Sequence, residues 1–330
     1  MNEQSLSKPI RPPTKVRPPG TAVGNENVIL TADDASRSKK TAVAKGYWKD
    51  AFIDEMIHTA PERKTPEINR GYFARTEAVW NVLNKFIQMT GAADAQVISL
   101  GAGLDTTYWR LHKAGCAPSK YVEVDFPQLT KKKTFLVMKS ENLRAELEEP
   151  VNAAHEADLH SKSYNLIGCD LVDVEKLAES LVACGVNFER PTLFLTECVL
   201  MYVDQPASDR LLSFLSSKFS RPVFVSYDAV NMSDQFGKVM IRNLKHRNVF
   251  LHGLEACMSF ENQRSRYERC GWTVVGMRTM WEIYLRLPDR ATIERLEFFD
   301  EAELLEQLLE HYCIVIANKA GTCEGLQEAL

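Results

Sequence analysis

No apolar run in the 330-residue chain approaches the roughly 20 residues that would span a bilayer, so no helical membrane crossing is expected. An apolar secretory core is missing too, because Met1 to Gly20 is polar and carries Pro9, Pro12, Pro13, Pro18 and Pro19. An excess of cation is lacking: 40 Lys and Arg against 44 Asp and Glu leave a net charge of -4, which argues against a sequence-independent grip on nucleic acid. The cysteines, at 116, 169, 184, 198, 257, 270, 313 and 323, include no CxxC and no close pair. That scatter fits reduced thiols in the cytoplasm better than a disulfide frame or a metal site, and no metal is expected. No repeat of solenoid or propeller period occurs. What remains, 45% apolar and 25% charged residues, is the composition of an ordinary globular protein able to bury a sizeable core.

The most informative stretch is Gln96 to Arg110, QVISLGAGLDTTYWR. A short apolar strand stops at Gly101-Ala102-Gly103, and a helix can begin after Asp105. A strand that ends in a glycine turn and re-enters as a helix brings bare backbone N–H groups to one point. Tyr121 to Asp125 is a second strand closing on a carboxylate, 24 positions after Gly101. A carboxylate at that place can accept hydrogen bonds from both hydroxyls of a ribose. A glycine pair alone is also what a plain structural turn requires; with the strand and Asp125 it points to a nucleoside site. The dinucleotide fingerprint wants a third glycine where Thr106 stands, which favours S-adenosylmethionine over NAD.

Taken in order, residues 1–35 read as a disordered proline-rich tail with too few large apolar groups to offset ordering. From 36 to 90 apolar spacings of three and four predict a helical N-terminal lid. Thr65-Pro66-Glu67 starts a helix that ends at Gly91. On it Ile68, Gly71 and Arg75 share a face, so Arg75 reads either as a pocket-facing cation or as part of a solvated helix face. Lys131-Lys132-Lys133 is expected on the wet side of a helix over 128–139, and the polar stretch to Lys162 as a surface excursion. A third strand, Tyr164 to Gly168, leads to Asp170-Leu171. The pair suits an adenine, the acid bonding its exocyclic amine and Leu171 covering its face; Asp170 also fits a helix N-cap. A fourth strand ends at Glu197, beyond which ligands sit in open α/β sheets. Strands at 222–227, 273–278 and 311–318 make seven, and residues 228–272 are too long for a connection, so they read as a substrate-binding insertion.

The wording of the sequence narrows this. PEINRGYFARTEAV (66–79), SLGAGLDTTYWRL (99–111), SKYVEVDFP (119–127), TECVLMY (196–202) and ELLEQLLEHYCIVIANK (303–319) resemble the leucine carboxyl methyltransferase family. The resemblance runs from about Lys39 onward. It implies an α/β class I S-adenosylmethionine-dependent methyltransferase, Rossmann-like and seven-stranded, with a helical N-terminal extension and a helical substrate insertion over residues 36–330. It implies transfer of a methyl group to the α-carboxylate of the C-terminal leucine of the protein phosphatase 2A catalytic subunit.

Carried over residue by residue, it implies that Arg75, with Lys39, holds the methionyl carboxylate of the cofactor, and that Gly101 lets that moiety approach the backbone. Asp125 takes the ribose, Asp170 and Leu171 the adenine, and Glu197 faces the cofactor's positive charge. A terminal carboxyl, with a pKa of about 3.3–3.7, is already an anion at neutral pH, so no general base is required. Arg70, Arg75 and Tyr202 are candidates to orient it, Tyr202 reading equally well as a core tyrosine. Other readings are a carboxyl methyltransferase for a hypermodified tRNA guanosine, which would carry a further repeat domain, and a non-catalytic phosphatase-binding regulator. The chain is expected to act as a monomer in the cytoplasm, with the nucleus also open to it.

Overall fold

The computed structural model describes residues 23–153 and 155–330. Among them eight strands form one sheet: β1 (Gln96–Leu100), β2 (Lys120–Asp125), β3 (Leu159–His160), β4 (Tyr164–Gly168), β5 (Thr192–Glu197), β6 (Pro222–Ala229), β7 (Thr273–Thr279) and β8 (Tyr312–Asn318). Their spatial order is β3-β4-β2-β1-β5-β6-β8-β7. The five central strands run parallel, and β8, β7 and β3 are antiparallel to their neighbours. The helices that bear on the site are α1 (Val23–Ala44), α2 (Pro66–Thr90), α3 (Pro127–Lys139), α4 (Val174–Ala183), α5 (Gln205–Lys218), α6 (Gln235–His246), α7 (Phe260–Glu268), α8 (Met280–Arg286) and α9 (Ala302–Glu310).

Parallel strands covered on both faces carry apolar side chains at successive positions, and alternate ones enter opposite cores. Val97, Tyr121, Leu193 and Val225 meet Phe73, Ala78, Val82 and Phe86 of α2, with Leu305 and Leu309 of α9 outside it. Ile98, Val122, Phe194 and Phe224 meet Leu177 and Leu181 of α4, Leu211 and Leu215 of α5, and Tyr267 of α7. From β1 the chain steps to β2 and β4 on one side, then crosses to β5 on the other. The crevice between the carboxyl ends of β1 and β5 is therefore the topological switch point, where such sheets bind ligands.

Several sequence expectations change. The sheet has an eighth member because β3, only two residues long, pairs with β4 inside the stretch read as a surface excursion. The tail expected over 1–35 is helical from Val23, since α1 packs along α2; the prolines lie in residues 1–22, outside the described residues. Of the insertion expected over 228–272, α7 belongs to the layer under β6 to β8, where Tyr267 meets Phe224 with ring centroids 5.5 Å apart. An unforeseen helix, α8, lies between β7 and β8 and packs on α2.

Lys133 is not on a wet face either. It is fully buried, with Nζ 2.5 Å from Glu123 Oε2 and donating to the Asp105 carbonyl at 2.6 Å. Tyr164 donates its hydroxyl to the same Glu123 oxygen at 2.7 Å. The pair fastens α3 to the middle of β2 and to the loop after β1. Glu123→Ala, which strands a buried ammonium, is expected to lower the unfolding free energy by about 3–5 kcal/mol, measured by denaturant titration; Lys133→Met added to it should restore part of the loss.

Candidate functional site

Gly101 and Gly103 turn the chain at the end of β1 with φ of 72° and 56°, in the left-handed region that suits glycine. A Cβ on Gly101 would lie 2.5 Å from Val199 Cγ2, so this glycine lets the β1 turn close against the tip of β5. Cys198, between them, takes φ 56° as well and is held by its N–H to the Tyr227 carbonyl at 2.7 Å. These tips and the helices above them enclose a cavity of about 780 Å³.

Lys39, Arg75, Gly101, Asp125, Asp170, Leu171, Glu197 and Tyr202 all line that cavity. Arg70 does not: it is buried on another side of α2, donating Nη2 to the carbonyls of Glu294 and Glu297 at 3.1 Å and lying over the Phe299 ring. It tethers the segment before α9 and is not placed to orient an acceptor. The Asp170 carboxylate accepts from Val172 N, whereas the N-cap of α4 is Asp173, which accepts from Lys176 N. Asp170 is thus left at the cavity wall.

Asp125 is 7% exposed, and its two oxygens accept from the backbone N–H groups of Gly103 and Phe126, each at 2.7 Å. Each oxygen keeps a second lone pair for a ligand hydroxyl. Burial pushes its carboxyl above the usual range, against the pull of those two donors. The cavity also holds a charge cluster, of which Lys39, Arg75 and Glu197 were expected from the sequence and Asp105 was not. Arg75 Nε donates to Glu197 Oε2 at 2.5 Å and Nη2 to the Glu197 carbonyl at 3.3 Å. Lys39 Nζ lies 2.7 Å from Asp105 Oδ2 and 3.6 Å from Glu197 Oε2. The Arg75 guanidinium also sits 4.6 Å from the centre of the Tyr227 ring, which stacks on Tyr312. Burial works against the charge on Arg75 and Lys39, yet Glu197 and Asp105 prevail and both pKa values rise. Burial likewise opposes charge on Asp105, but Lys39 and Lys133 hold it well below the usual carboxylate range.

Asp105, Tyr227 and Tyr312 were missed because nothing in their local spacing sets them apart from turn and core residues. Two cations beside two carboxylates suit a zwitterion, the guanidinium and ammonium facing its carboxylate and the acids its ammonium. With Asp125 in the same cavity lining, the donor and acceptor set fits the amino-acid and sugar parts of S-adenosylmethionine. No proton acceptor for neutral pH stands out among the buried phenols and thiols: burial pushes the Cys198 thiol up to about 12, and it raises Tyr72, Tyr202, Tyr227 and Tyr312.

A solved structure described as a methyltransferase from Thermobifida fusca YX superposes with a TM-score of 0.50 at 15% identity, covering 81% of this chain and 92% of that one. The chain is 41% identical over 318 residues to leucine carboxyl methyltransferase 1 of Bos taurus, covering 93% of this chain and 94% of that protein. The Rattus norvegicus protein of the same name is 42% identical, with 92% and 93% covered. The tRNA wybutosine-synthesizing protein 4 of Homo sapiens is 34% identical over 88% of this chain, but only 44% of that protein is matched. The model of the leucine carboxyl methyltransferase family matches residues 28–216, which include most of α1, the glycine turn, Asp125 and Glu197. The chain therefore belongs to the leucine carboxyl methyltransferase family and is an S-adenosylmethionine-dependent methyltransferase.

Proposed function

We propose that this methyltransferase esterifies the α-carboxylate of the C-terminal leucine of the protein phosphatase 2A catalytic subunit. The observation that carries the reading is the cavity itself, where a balanced set of two cations and two carboxylates shares the lining with Asp125, among phenols and a thiol that stay protonated at neutral pH. Those phenols and that thiol have little to offer a hydroxyl or an ammonium, which must lose a proton before it can attack. A terminal carboxylate needs no such help, its pKa being about 3.3–3.7.

S-adenosylmethionine, when bound, supplies an electrophilic methyl group on a positively charged sulfur. The chain's residues bind, orient and exclude water. Asp125 takes the ribose hydroxyls through its free lone pairs. Asp170 and Leu171 take the adenine. Arg75 and Lys39 hold the amino-acid carboxylate, and Glu197 keeps a negative charge near the sulfonium. Tyr202, on the turn after β5, lines the cavity, and its hydroxyl, kept protonated by burial, is assigned to the acceptor carboxylate. A single neutral donor steadies a carboxylate without quenching its nucleophilicity as a tight cation would. Neutralising an anion and a cation together is favoured in a cavity from which water is excluded. α1 supplies part of that roof, with Ala32 at 3.4 Å from the place a Cβ would take on Gly103.

Methyl-labelled donor incubated with the phosphatase core should give alkali-labile label at its C-terminus, and removing the terminal leucine should abolish it. Label on tRNA, or none, overturns the reading. Asp125→Ala should weaken adenosylhomocysteine binding by at least about tenfold in calorimetry, the loss of charge-assisted hydrogen bonds; equal affinity would remove Asp125 from the ribose. The pH profile of kcat should be level between about pH 6 and 8, because the acceptor is already ionised. An ascending limb there would mark a proton leaving the acceptor and would count against a carboxylate.

A further inference from the structure

Among the described helices, α6 is the clearest case of two unlike faces. Its inner face packs: Phe236 lies 4.4 Å from the His311 ring, the Tyr312 hydroxyl reaches Met240 Sδ, Ile241 joins the apolar cluster beneath, and Leu244 lines the cavity. Its outer face presents Lys238, Arg242 and Lys245, at the i, i+4, i+7 spacing of one stripe, all exposed. No carboxylate occurs between Gln235 and His246. None of the three cations has an ion pair or a side-chain hydrogen bond among the described residues.

Helix stability accounts only for Lys245, a cation in the last turn, and not for the stripe. Like charges four apart repel, and a cation near a helix start opposes the macrodipole, so Lys238 and Arg242 cost the isolated helix something. Solubility does not account for it either, in a chain of net charge -4. Its position does suggest a use. The C-terminal end of α6 borders the cavity through Leu244 and the neighbouring Arg247, and Arg247 is already paired with Asp34 of α1.

We propose that the outer stripe of α6 binds an acidic peptide segment, the carboxylates of the acceptor's own tail upstream of its terminal leucine. From Leu244 back to Lys238 is about 9 Å along the helix at ~1.5 Å per residue. An extended tail covers that in about three residues at ~3.3–3.6 Å each. With the depth of the cavity added, the carboxylates that meet the stripe lie about two to six positions before the terminus. This inference rests on the substrate reading above and adds to it what selects the acceptor.

The test uses the full-length protein and its triple variant Lys238→Glu, Arg242→Glu, Lys245→Glu. The acceptors are phosphatase catalytic subunits whose tails, two to six places before the terminal leucine, carry either carboxylates or the matching amides. At low ionic strength the variant should raise KM for the acidic tail at least about tenfold, with kcat little changed and the amide tail unaffected. The difference should shrink as salt is added. Unchanged adenosylhomocysteine affinity verifies that the variant is folded. Equal KM values for the two enzymes on the acidic tail overturn the inference and leave the substrate reading standing. No label on either leucine tail with the unmodified enzyme overturns both. Loss of tRNA binding in the variant, with acceptor KM unmoved, overturns the peptide in favour of nucleic acid.

Discussion

Burying charge is what the rest of this structure has to accommodate. Taking an ammonium, a guanidinium and two carboxylates out of water is costly unless each finds a partner. Lys39 comes from α1, Arg75 from α2, Asp105 from the loop after β1, and Glu197 from the tip of β5. Four separate pieces of chain must therefore meet at one point, and each is fixed there by the charge on another. The same requirement continues below the cavity floor. Lys133 bonds the Asp105 carbonyl and pairs with Glu123, so a lysine under the sheet helps set where the carboxylate above it lies.

That arrangement divides the cavity by the order of the strands. β1, β2 and β4 lie on one side of the switch point and contribute the glycine turn, Asp125 and Asp170. β5 and β6 lie on the other and contribute Glu197, Cys198, Tyr202 and Tyr227. The first set consists of backbone donors and acids close to the main chain, suited to a ligand of fixed shape. The second is built from tyrosines and from the chain that follows β6, which leaves the sheet before returning through α7. A buried ion pair, Arg266 to Asp228 at 2.9 Å, with Arg266 also donating to the Gly253 carbonyl, brings that excursion back onto the turn that carries Tyr202. Gly253 itself donates to the Met201 carbonyl, and a Cβ there would fall 2.3 Å from the Leu200 carbonyl oxygen.

How legible a feature was depended on the range over which its cause acts. The glycine turn and Asp125 were readable because strand, turn and carboxylate are set within one βαβ unit. Arg75 stood out because Gly71 and Ile68 share its helix face, and Asp170 because a strand ends just before it. Lys133 was misread since its helix carries three consecutive lysines, and only the partner Glu123 on the neighbouring strand decides which one turns inward. Arg70 differs from Arg75 by five residues of the same helix, yet its carbonyl partners lie more than 220 positions away. The first helix was hidden by the prolines before it: composition averaged over 35 residues cannot show that the last third carries Val28, Ile29 and Ala32 against a pocket made by distant loops.

The role of α1 then follows from the same electrostatics. A roof held only by apolar contacts would open and close with little regard to what lies beneath it. Here the roof carries Lys39, whose charge is balanced by Asp105 and Glu197 in the floor, while Asp33 and Asp34 reach Lys132 and Arg247 at the rim. The rim pairs are partly exposed and weak, in the range of exposed ion pairs generally. The inner one is more sheltered, with side chains 12–15% exposed, and without Lys39 the carboxylates of Asp105 and Glu197 would have to find water or another cation. The cover of the cavity and the charge balance within it are thus set together, because the side chain that completes the cluster is carried by the helix that covers it.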